Sequence, residues 1–111
     1  MEDCVFCRIA RGQAPATILK KWSDALAFVP LNPVVEGHVL IIPLDHVADA
    51  LEDPAITAAT MKRVAEFANG QCNIITSVGK DATQSIFHLH VHIVPRKAGD
   101  GLLLPWSAPD K

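Results

Sequence analysis

The sequence predicts an α+β fold in which an antiparallel sheet of about five strands is covered by one main helix, after a short N-terminal helical turn. Three observations predict it: a capped amphipathic helix over residues 54–69, strict side-chain alternation over 86–94, and short β-rich runs separated by proline or glycine. The length of 111 residues suits one compact domain. We therefore predict a single domain over residues 1–111.

The N-terminal segment, residues 1–16, contains two cysteines separated by two residues, Cys4 and Cys7. This spacing allows two thiolates to reach one zinc ion from a tight turn, but it also suits a pair of reduced, half-buried thiols. The spacing alone leaves both interpretations open. A short helical turn is predicted over residues 8–13, because a glycine and then a proline end it.

The next part of the chain predicts a hairpin and a third strand. Residues 17–22 and 25–29 are both strand-like and are separated by a Ser-Asp turn pair. Residues 30–33 are predicted to be irregular, because two prolines remove backbone donors. A β-rich run over 38–43 is predicted to be the third strand and ends at a proline. For residues 45–51 the sequence does not decide between a loop and a helical turn.

The strongest helix prediction covers residues 54–69. Asp53 is a favourable N-cap, a proline suits the first helical position, and Gly70 suits the left-handed position after the last turn. Apolar residues at helical spacing predict a face that covers the sheet: Met61, Val64, Ala65 and Ala68. Residues 72–76 return as a strand whose first residue, a cysteine, is predicted to be a small core residue, and 78–84 form a polar loop.

The last strand is predicted over residues 86–94, where successive side chains point to opposite faces of the sheet. One face is uniformly apolar and is expected against the core: Phe87, Leu89, Val91 and Ile93. The other face carries three histidines about 6.7 Å apart along the strand: His88, His90 and His92.

A lone histidine on such a face is most often a satisfied polar residue, but three in a row favour chemistry, because each buried ring needs hydrogen-bond partners. Two chemistries fit. Two or three imidazoles can bind one catalytic metal ion. Alternatively, the middle histidine, His90, is a nucleophile toward phosphorus while a neighbouring acceptor holds its near N–H. Gln84 and Ser85 lie just before the strand and could donate hydrogen bonds to that phosphate.

Composition and charge exclude some classes of protein. Ten basic and twelve acidic residues give a formal net charge of −2, which argues against an electrostatic nucleic-acid binder. The longest apolar run, residues 39–43, is too short to cross a bilayer, and the chain opens on acidic residues rather than a signal-like pattern. An odd number of cysteines, three, suits thiols kept reduced. We expect a soluble, cytoplasmic protein with no membrane partner.

Four stretches, taken together, resemble the histidine triad (HIT) family. In chain order they are CVFCRI at residues 4–9, NP at 32–33, GHVLIIP at 37–43 with His46 after it, and QSIFHLHVHIVPR at 84–96. The similarity covers nearly the whole chain, and the triad with its upstream Gln-Ser is the most specific part. The resemblance implies a HIT-like fold.

The resemblance also implies a nucleotide hydrolase or nucleotidyl transferase acting on small nucleotide conjugates. Phosphoramidates, dinucleoside polyphosphates and adenylylated metabolites are the candidate substrates, with a purine as the expected base. It implies that His90 attacks the α-phosphate to form a nucleotidyl-histidine, and that the backbone carbonyl of His92 holds the near N–H of His90. The residues implied in substrate binding are His38, Asn32, Gln84 and Ser85.

In zinc-containing members of the family, four ligands close a structural site without taking part in the chemistry. The matching residues here are Cys4, Cys7, His46 and His88. No organic cofactor is expected. The competing interpretation, a metallohydrolase with His88 and His90 on one catalytic metal, is disfavoured, because the Cys-x-x-Cys pair gives His88 a structural role.

Members of the family are commonly two-fold dimers whose C-terminal segments approach the partner's site. A homodimer is therefore expected, in agreement with the mild apolar excess of the composition. In the tail over residues 96–111, Trp106 is predicted either to line the partner's site or to pack on the surface. One departure concerns Pro30, which stands where many members carry an acidic residue that binds the ribose hydroxyls. It supports the alternative of a non-catalytic nucleotide-binding or interaction protein with the same fold and zinc site.

Overall fold

The computed structural model describes residues 4–106 of the chain. Its helices and strands are, in order, α1 (Val5–Ala10), β1 (Ile18–Lys21), β2 (Ala25–Phe28), β3 (Val39–Pro43), α2 (Pro54–Phe67), β4 (Cys72–Ile75) and β5 (Val91–Pro95), with a short 3-10 turn at Lys80–Ala82. The five strands form one sheet in the order β1-β2-β3-β5-β4, and every neighbouring pair is antiparallel. The predicted fold class is confirmed.

The central strands of the sheet, β2, β3 and β5, are largely buried on both faces, and their side chains alternate between two apolar clusters, whereas the edge strand β1 is exposed. On one face α2 packs through Val64 onto Ile41 and Val91, all three fully buried or nearly so. On the other face α1 packs through Phe6 onto side chains of β2 and β3, including Leu40. This second face leaves room for polar side chains beside α1, and it carries the candidate site.

The main helix begins where the sequence predicts it and ends slightly earlier. The side chain of Asp53 accepts hydrogen bonds from the backbone N–H groups of Ala55 and Ile56, which satisfies donors of the first turn. Ala68, predicted to be helical, already has an extended backbone, and Gly70 follows at φ +83°. The helix therefore stops at Phe67 instead of residue 69.

The N-terminal helix begins earlier than the predicted turn over residues 8–13. It begins at Val5 because the Sγ of Cys4 accepts a hydrogen bond from the backbone N–H of Cys7 and caps the first turn. The Cys-x-x-Cys pair is thus the start of a helix and not a loop that precedes one. Cysteine is an uncommon cap, which is why the sequence pattern did not indicate this start.

The last strand is shorter than predicted, since pairing with β3 begins only at Val91. Before it, the backbone N–H of Leu89 donates to the carbonyl of Val47, outside the sheet. The predicted apolar face is correct for Leu89 onward but wrong for Phe87, whose side chain is 50% exposed. The predicted alternation therefore holds for the part of the segment that contacts the core.

Three smaller points complete the fold. Residues 45–51 consist of bends and turns. Cys72 is half-buried against the cluster under α2, so its predicted role as a small core residue is confirmed. Within residues 4–106, neither helix has the length and apolar character needed to cross a membrane.

Candidate functional site

The histidines of residues 88–92 divide between two adjoining groups on the α1 face of the sheet. The cysteine–histidine cluster comprises Cys4, Cys7, His46 and His88. The histidine trio comprises His38, His90 and His92. One short segment, residues 88–92, therefore contributes histidines to both groups. The hydrogen bonds and contacts of each histidine ring place that ring in one group or the other.

The cysteine–histidine cluster has the composition and spacing of a closed metal site. The Nδ1 atom of His88 lies 3.3 Å from the Sγ of Cys4 and 3.4 Å from the Sγ of Cys7. The Nδ1 of His46 lies 3.3 Å from the Sγ of Cys7, and all four donor atoms lie within 4.8 Å of one another. Two thiolates and two imidazoles are ligands that zinc prefers in tetrahedral structural sites. The four predicted ligands are brought together, and their donor set fits the metal.

The ring of His88 is oriented by the strand beside it. Its Nε2–H donates to the carbonyl of Pro43, 3.0 Å away, which leaves the Nδ1 lone pair facing the two sulfur atoms. Burial lowers the pKa of His88, so this fully buried imidazole is held neutral, as a ligand must be. Burial, followed by the hydrogen bond to Cys4, raises the pKa of the Cys7 thiol. Binding a cation here would therefore release a proton from sulfur.

His90 has the opposite hydrogen-bond arrangement. Its Nδ1 lies 2.8 Å from the backbone carbonyl of His88, to which the Nδ1–H donates, and its Nε2 accepts no hydrogen bond from any of residues 4–106. The carbonyl of His90 accepts a hydrogen bond from the hydroxyl of Thr76, which fixes the backbone at this position. Sequence reasoning did not identify Thr76, although it ends the predicted strand over 72–76.

The acceptor for His90 corrects one prediction, since the carbonyl of His92 was expected in that role. His92 lies inside the sheet, paired with Leu40 of β3 and Ile75 of β4. Ladder carbonyls point in the plane of the sheet toward the neighbouring strands. His88 precedes the ladder, so its carbonyl can turn toward the ring of His90.

His38 and His92 form a chain of hydrogen bonds that fixes both tautomers. The backbone N–H of Val34 donates to the Nδ1 of His38, so His38 carries its proton on Nε2 and donates it to the Nδ1 of His92, 3.0 Å away. Burial, and then the charges of His90 and His38, lower the pKa of His92 to about 4, and burial lowers the pKa of His38. Both rings are thus neutral at pH 7, and His92 keeps an Nε2–H as a donor.

A pocket of about 760 Å³ opens beside His90 and His92. Its remaining walls come from α1, the segment before β1, the end of β2, one residue of β3 and neighbouring loops. They are mostly apolar: Val5, Phe6, Ile9, Pro15, Ala16, Thr17, Phe28, Val29, Pro30, Leu31, Leu40, Ser85 and Ile86. The ring of Phe6 stands edge-on to His90, with centroids 5.1 Å apart at 77°. The sequence did not indicate Phe6 as part of the site, because it lies between the two cysteines of the other group.

Two of the predicted substrate-binding residues, Ser85 and Gln84, differ in whether they reach the pocket. Ser85 lines the pocket and is exposed. Gln84 is buried, its Oε1 accepts from the backbone N–H of Gly79, and its Nε2 donates to the carbonyls of Ala48 and Ile86. The prediction that Gln84 donates to phosphate is therefore wrong for this arrangement, because both amide hydrogens are engaged within the protein.

Two further predictions concern the rim of the pocket and the tail. Asn32 is exposed and lies outside the pocket lining, next to Leu31, which belongs to it. Trp106 is 80% exposed. Residues 107–111 of the predicted tail lie outside the described residues, so the role of the tail stays a prediction.

Comparison with known proteins gives one family and several named relatives. A profile of the HIT domain matches residues 11–99. Adenylylsulfatase HINT3 of Arabidopsis thaliana is 38% identical over 109 residues, which cover 90% of this chain and 55% of the plant protein, so the chain spans about half the length of that relative. Adenosine 5'-monophosphoramidase HNT1 of Saccharomyces cerevisiae is 33% identical over 113 residues, covering 96% of this chain and 72% of the yeast protein.

Among solved structures, a zinc-bound histidine triad family protein from Mycobacterium smegmatis superposes with a TM-score of 0.81. It is 36% identical to this chain, and the match covers 92% of this chain and 81% of the other. The predicted HIT-like fold is confirmed by this similarity.

Proposed function

Because the chain belongs to the histidine triad (HIT) family, we propose that it is a nucleotide hydrolase or nucleotidyl transferase that cleaves small nucleotide conjugates at the α-phosphate. The candidate substrates are nucleoside phosphoramidates, dinucleoside polyphosphates and adenylylated metabolites, with a purine base. The names of the yeast and plant relatives, a monophosphoramidase and an adenylylsulfatase, support this class of substrate.

A single observation carries the proposal: His90 donates its Nδ1–H to the carbonyl of His88 and lines the pocket, and no group within residues 4–106 donates to its Nε2 lone pair. An unprotonated imidazole nitrogen held in this tautomer is a nucleophile toward phosphorus. Nε2 attacks the α-phosphorus, the new P–N bond forms, and the bond from phosphorus to the leaving group breaks. The leaving group departs with the bonding electron pair and takes a proton from solvent.

The second step returns the histidine to its starting state. Water adds to phosphorus, the P–N bond breaks with its electron pair going back to Nε2, and the proton of the attacking water goes to solvent. The products are the nucleotide and the protonated leaving group. In this proposal, the Nε2–H of His92 and the exposed hydroxyl of Ser85, which both line the pocket, donate to phosphate oxygens.

His38 serves His92 in this proposal, because it holds the tautomer that leaves the donor of His92 available. Gln84 serves the loop before the triad, since its amide joins Gly79 to Ala48 and Ile86. In this proposal, His38 and Gln84 act through the residues they bond to and do not contact the reacting atoms.

The cysteine–histidine cluster would hold a zinc ion, with Cys4, Cys7, His46 and His88 as its ligands. When bound, the ion supplies a structural cross-link between α1 and the segments that carry the two histidines. His88 cannot share a catalytic metal with His90, because both of its ring nitrogens are engaged, one toward sulfur and one with the carbonyl of Pro43. This supports a structural role over the metallohydrolase alternative.

The homodimer is also part of the proposal. Large apolar side chains are exposed on the single chain, including Leu103 at 62% and Trp106 at 80%, and burying such side chains stabilises an isologous interface. Sedimentation equilibrium of the zinc-loaded protein tests it. A mass near twice 12.0 kDa is the expected result, and a monomer at micromolar concentration contradicts it.

The decisive experiment is to trap the covalent intermediate. Wild-type protein is mixed with adenosine 5'-phosphoramidate, quenched, digested and analysed by mass spectrometry. We expect an adenylyl group on the peptide that contains His90. The same experiment with His90→Asn provides the control, which must show neither the adduct nor turnover. Full turnover by that variant contradicts the proposal.

A non-catalytic nucleotide-binding protein is the second candidate. Two observations favour it: Pro30 stands in the pocket wall, and both amide hydrogens of Gln84 are used inside the protein. It predicts nucleotide binding without hydrolysis across a panel of conjugates that includes phosphoramidates and dinucleoside polyphosphates. Turnover of any of these conjugates that depends on His90 excludes it.

A further inference from the structure

The wall of the pocket at the end of β2 is built from three apolar residues in succession, Val29, Pro30 and Leu31. Opposite wall segments from α1 and the chain before β1 are also apolar, apart from one hydroxyl at Thr17. Among the described residues that line the pocket, none carries a carboxylate. The part of the pocket away from the histidine trio therefore offers few side-chain acceptors to a bound molecule.

The sugar of a nucleotide presents two neighbouring hydroxyl donors when it is a ribose. A site discriminates strongly for such hydroxyls only when its own polar groups would be left unpaired without them. Of the polar side chains in the lining, His90, His92 and Ser85 belong to the phosphate end, so Thr17 alone remains near position 30. The exposed hydroxyl of Thr17 bonds equally well to water, so losing a sugar hydroxyl there leaves nothing buried and unpaired.

One backbone donor of this wall is also committed. The N–H of Val29 donates to the carbonyl of Thr17, 3.0 Å away, which extends the pairing of β1 and β2 to the edge of the pocket. Pro30 has no N–H, and its ring fixes φ, so the chain here cannot easily turn an additional polar group inward. The apolar character of this wall thus follows from the side chains of residues 29–31.

We infer that Pro30 makes the pocket indifferent to the 2'- and 3'-hydroxyls, so that it takes ribonucleotide, deoxyribonucleotide and dideoxyribonucleotide phosphates alike. The inference rests on the proposed function for the location of the phosphate, and it names the substrate class of that same site. Affinity comes from the phosphate contacts and from burial of the planar base between apolar walls. Position 30 is then a specificity-determining residue.

Binding of product nucleotides tests this without relying on catalysis. The dissociation constants of AMP and 2',3'-dideoxy-AMP are measured by titration calorimetry on zinc-loaded wild-type protein. We expect the two constants to differ by less than about fivefold, since no buried acceptor is left unpaired by the loss of the hydroxyls. A preference for AMP of fivefold or more overturns the inference, and so does the absence of binding by both ligands at millimolar concentration.

Variants at the same position test whether Pro30 is responsible. Pro30→Asp adds a carboxylate acceptor at the wall and is expected to raise the preference for AMP to about tenfold or more, because hydrogen bonds to a charged acceptor are the stronger ones. Pro30→Ala removes the ring without adding an acceptor, and its preference stays below fivefold. If Pro30→Asp binds both ligands yet shows no greater preference than Pro30→Ala, position 30 does not set the specificity.

Failure of this inference is distinguishable from failure of the proposed function. Equal binding of the two nucleotides with no adenylyl adduct on His90 contradicts the hydrolase proposal and leaves the inference standing. An adenylyl adduct on His90 together with a strong preference for AMP supports the hydrolase proposal and contradicts the inference. The wild-type comparison also needs no variant, so a destabilised Pro30→Asp protein would not remove the test.

Discussion

His88 and His90 are two residues apart in the chain, yet their rings carry the proton on opposite nitrogens. His88 donates from Nε2 to the carbonyl of Pro43 and turns Nδ1 toward Cys4 and Cys7. His90 donates from Nδ1 to the carbonyl of His88 and turns Nε2 toward the pocket. Two backbone carbonyls, and not the residue type, thus turn one imidazole toward the cysteine sulfurs and the next toward the pocket.

The two groups also differ in their access to solvent. The ring of His88 is completely buried, and the four donor atoms of its cluster lie within 4.8 Å of one another, which fits a tetrahedral site whose four positions are all filled by the protein. His90 lines a pocket that is open to solvent. A structural metal site has all its coordination positions filled by protein ligands, whereas a catalytic site leaves room for a substrate or water. Mutations in the two groups should therefore have separable effects, on metal content and stability in one case and on turnover in the other.

The largest effect is expected from His90→Asn. Removing a covalent nucleophile lowers kcat by about 10³-fold or more, since the remaining contacts only bind the substrate. Because His90 takes no part in the cysteine–histidine cluster, zinc content should stay equal to that of the wild type. Single-turnover kinetics and metal analysis measure the two quantities on the same sample. Loss of zinc together with loss of turnover would break the proposed division between the groups.

The next largest effect is expected from Cys7→Ser, which removes the sulfur that lies close to both His46 and His88. Zinc should be lost, and with it a stabilisation of about 4 kcal/mol when free zinc is 1,000-fold above its dissociation constant. Urea unfolding with and without a chelator measures this free energy. Cys72→Ser is the matched control, because Cys72 lies in β4 away from the cluster and its substitution should leave zinc content unchanged. Equal zinc loss in both variants would contradict the ligand assignment.

The sequence predicted much of this arrangement and failed at identifiable points. The hairpin, the start of α2 at Asp53 and the buried side chains of β5 follow from local propensity and alternation, which are properties of neighbouring residues. The four residues of the cysteine–histidine cluster were recognised through family resemblance. Their spacing alone left other interpretations of Cys4 and Cys7 open.

The failures at the candidate site concern hydrogen-bond partners that the residue pattern does not indicate, whether they lie near or far along the chain. The carbonyl that holds His90 belongs to His88 because the ladder begins only at Val91, and no residue pattern indicates where a ladder begins. The sequence predicts that Gln84 binds phosphate, because a side-chain amide just before the triad can donate hydrogen bonds. Its real partners, Gly79 and Ala48, come together only in the folded chain. Residue types thus predict which groups can react, and tertiary contacts decide which groups are already engaged.

A smaller effect on turnover is expected from His38→Ala. Without the Nε2–H of His38, the tautomer of His92 is no longer fixed, and kcat should fall about tenfold to a hundredfold, less than for loss of a direct proton donor or acceptor. Water entering the space should raise the pKa of His92 from about 4, because burial is the main cause of its depression. Titration of His92 by NMR, alongside kcat, separates this role from a merely structural one.

The conservative variant His38→Gln sharpens this test. A glutamine amide can accept from the N–H of Val34 or donate to the Nδ1 of His92, so part of the activity lost in His38→Ala should return. An unchanged kcat and an unchanged pKa of His92 in His38→Ala would show that the link between the two rings has no consequence for the reaction.

The smallest expected effect is on the pH dependence of stability. The pKa of His92 is about 4 in the folded protein and near 6.5 when exposed, so between these values the unfolded chain binds more protons than the folded one. The contribution of His92 is therefore fully present above about pH 6.5 and is lost as the pH falls toward 4. His92→Asn lacks this titration but keeps the cysteine–histidine cluster, so the acid release of zinc is common to both proteins. Urea unfolding at several pH values between 7 and 4.5 should give a steeper loss of stability for the wild type than for His92→Asn, and parallel curves would show that the burial of this ring does not contribute to the acid sensitivity of the fold.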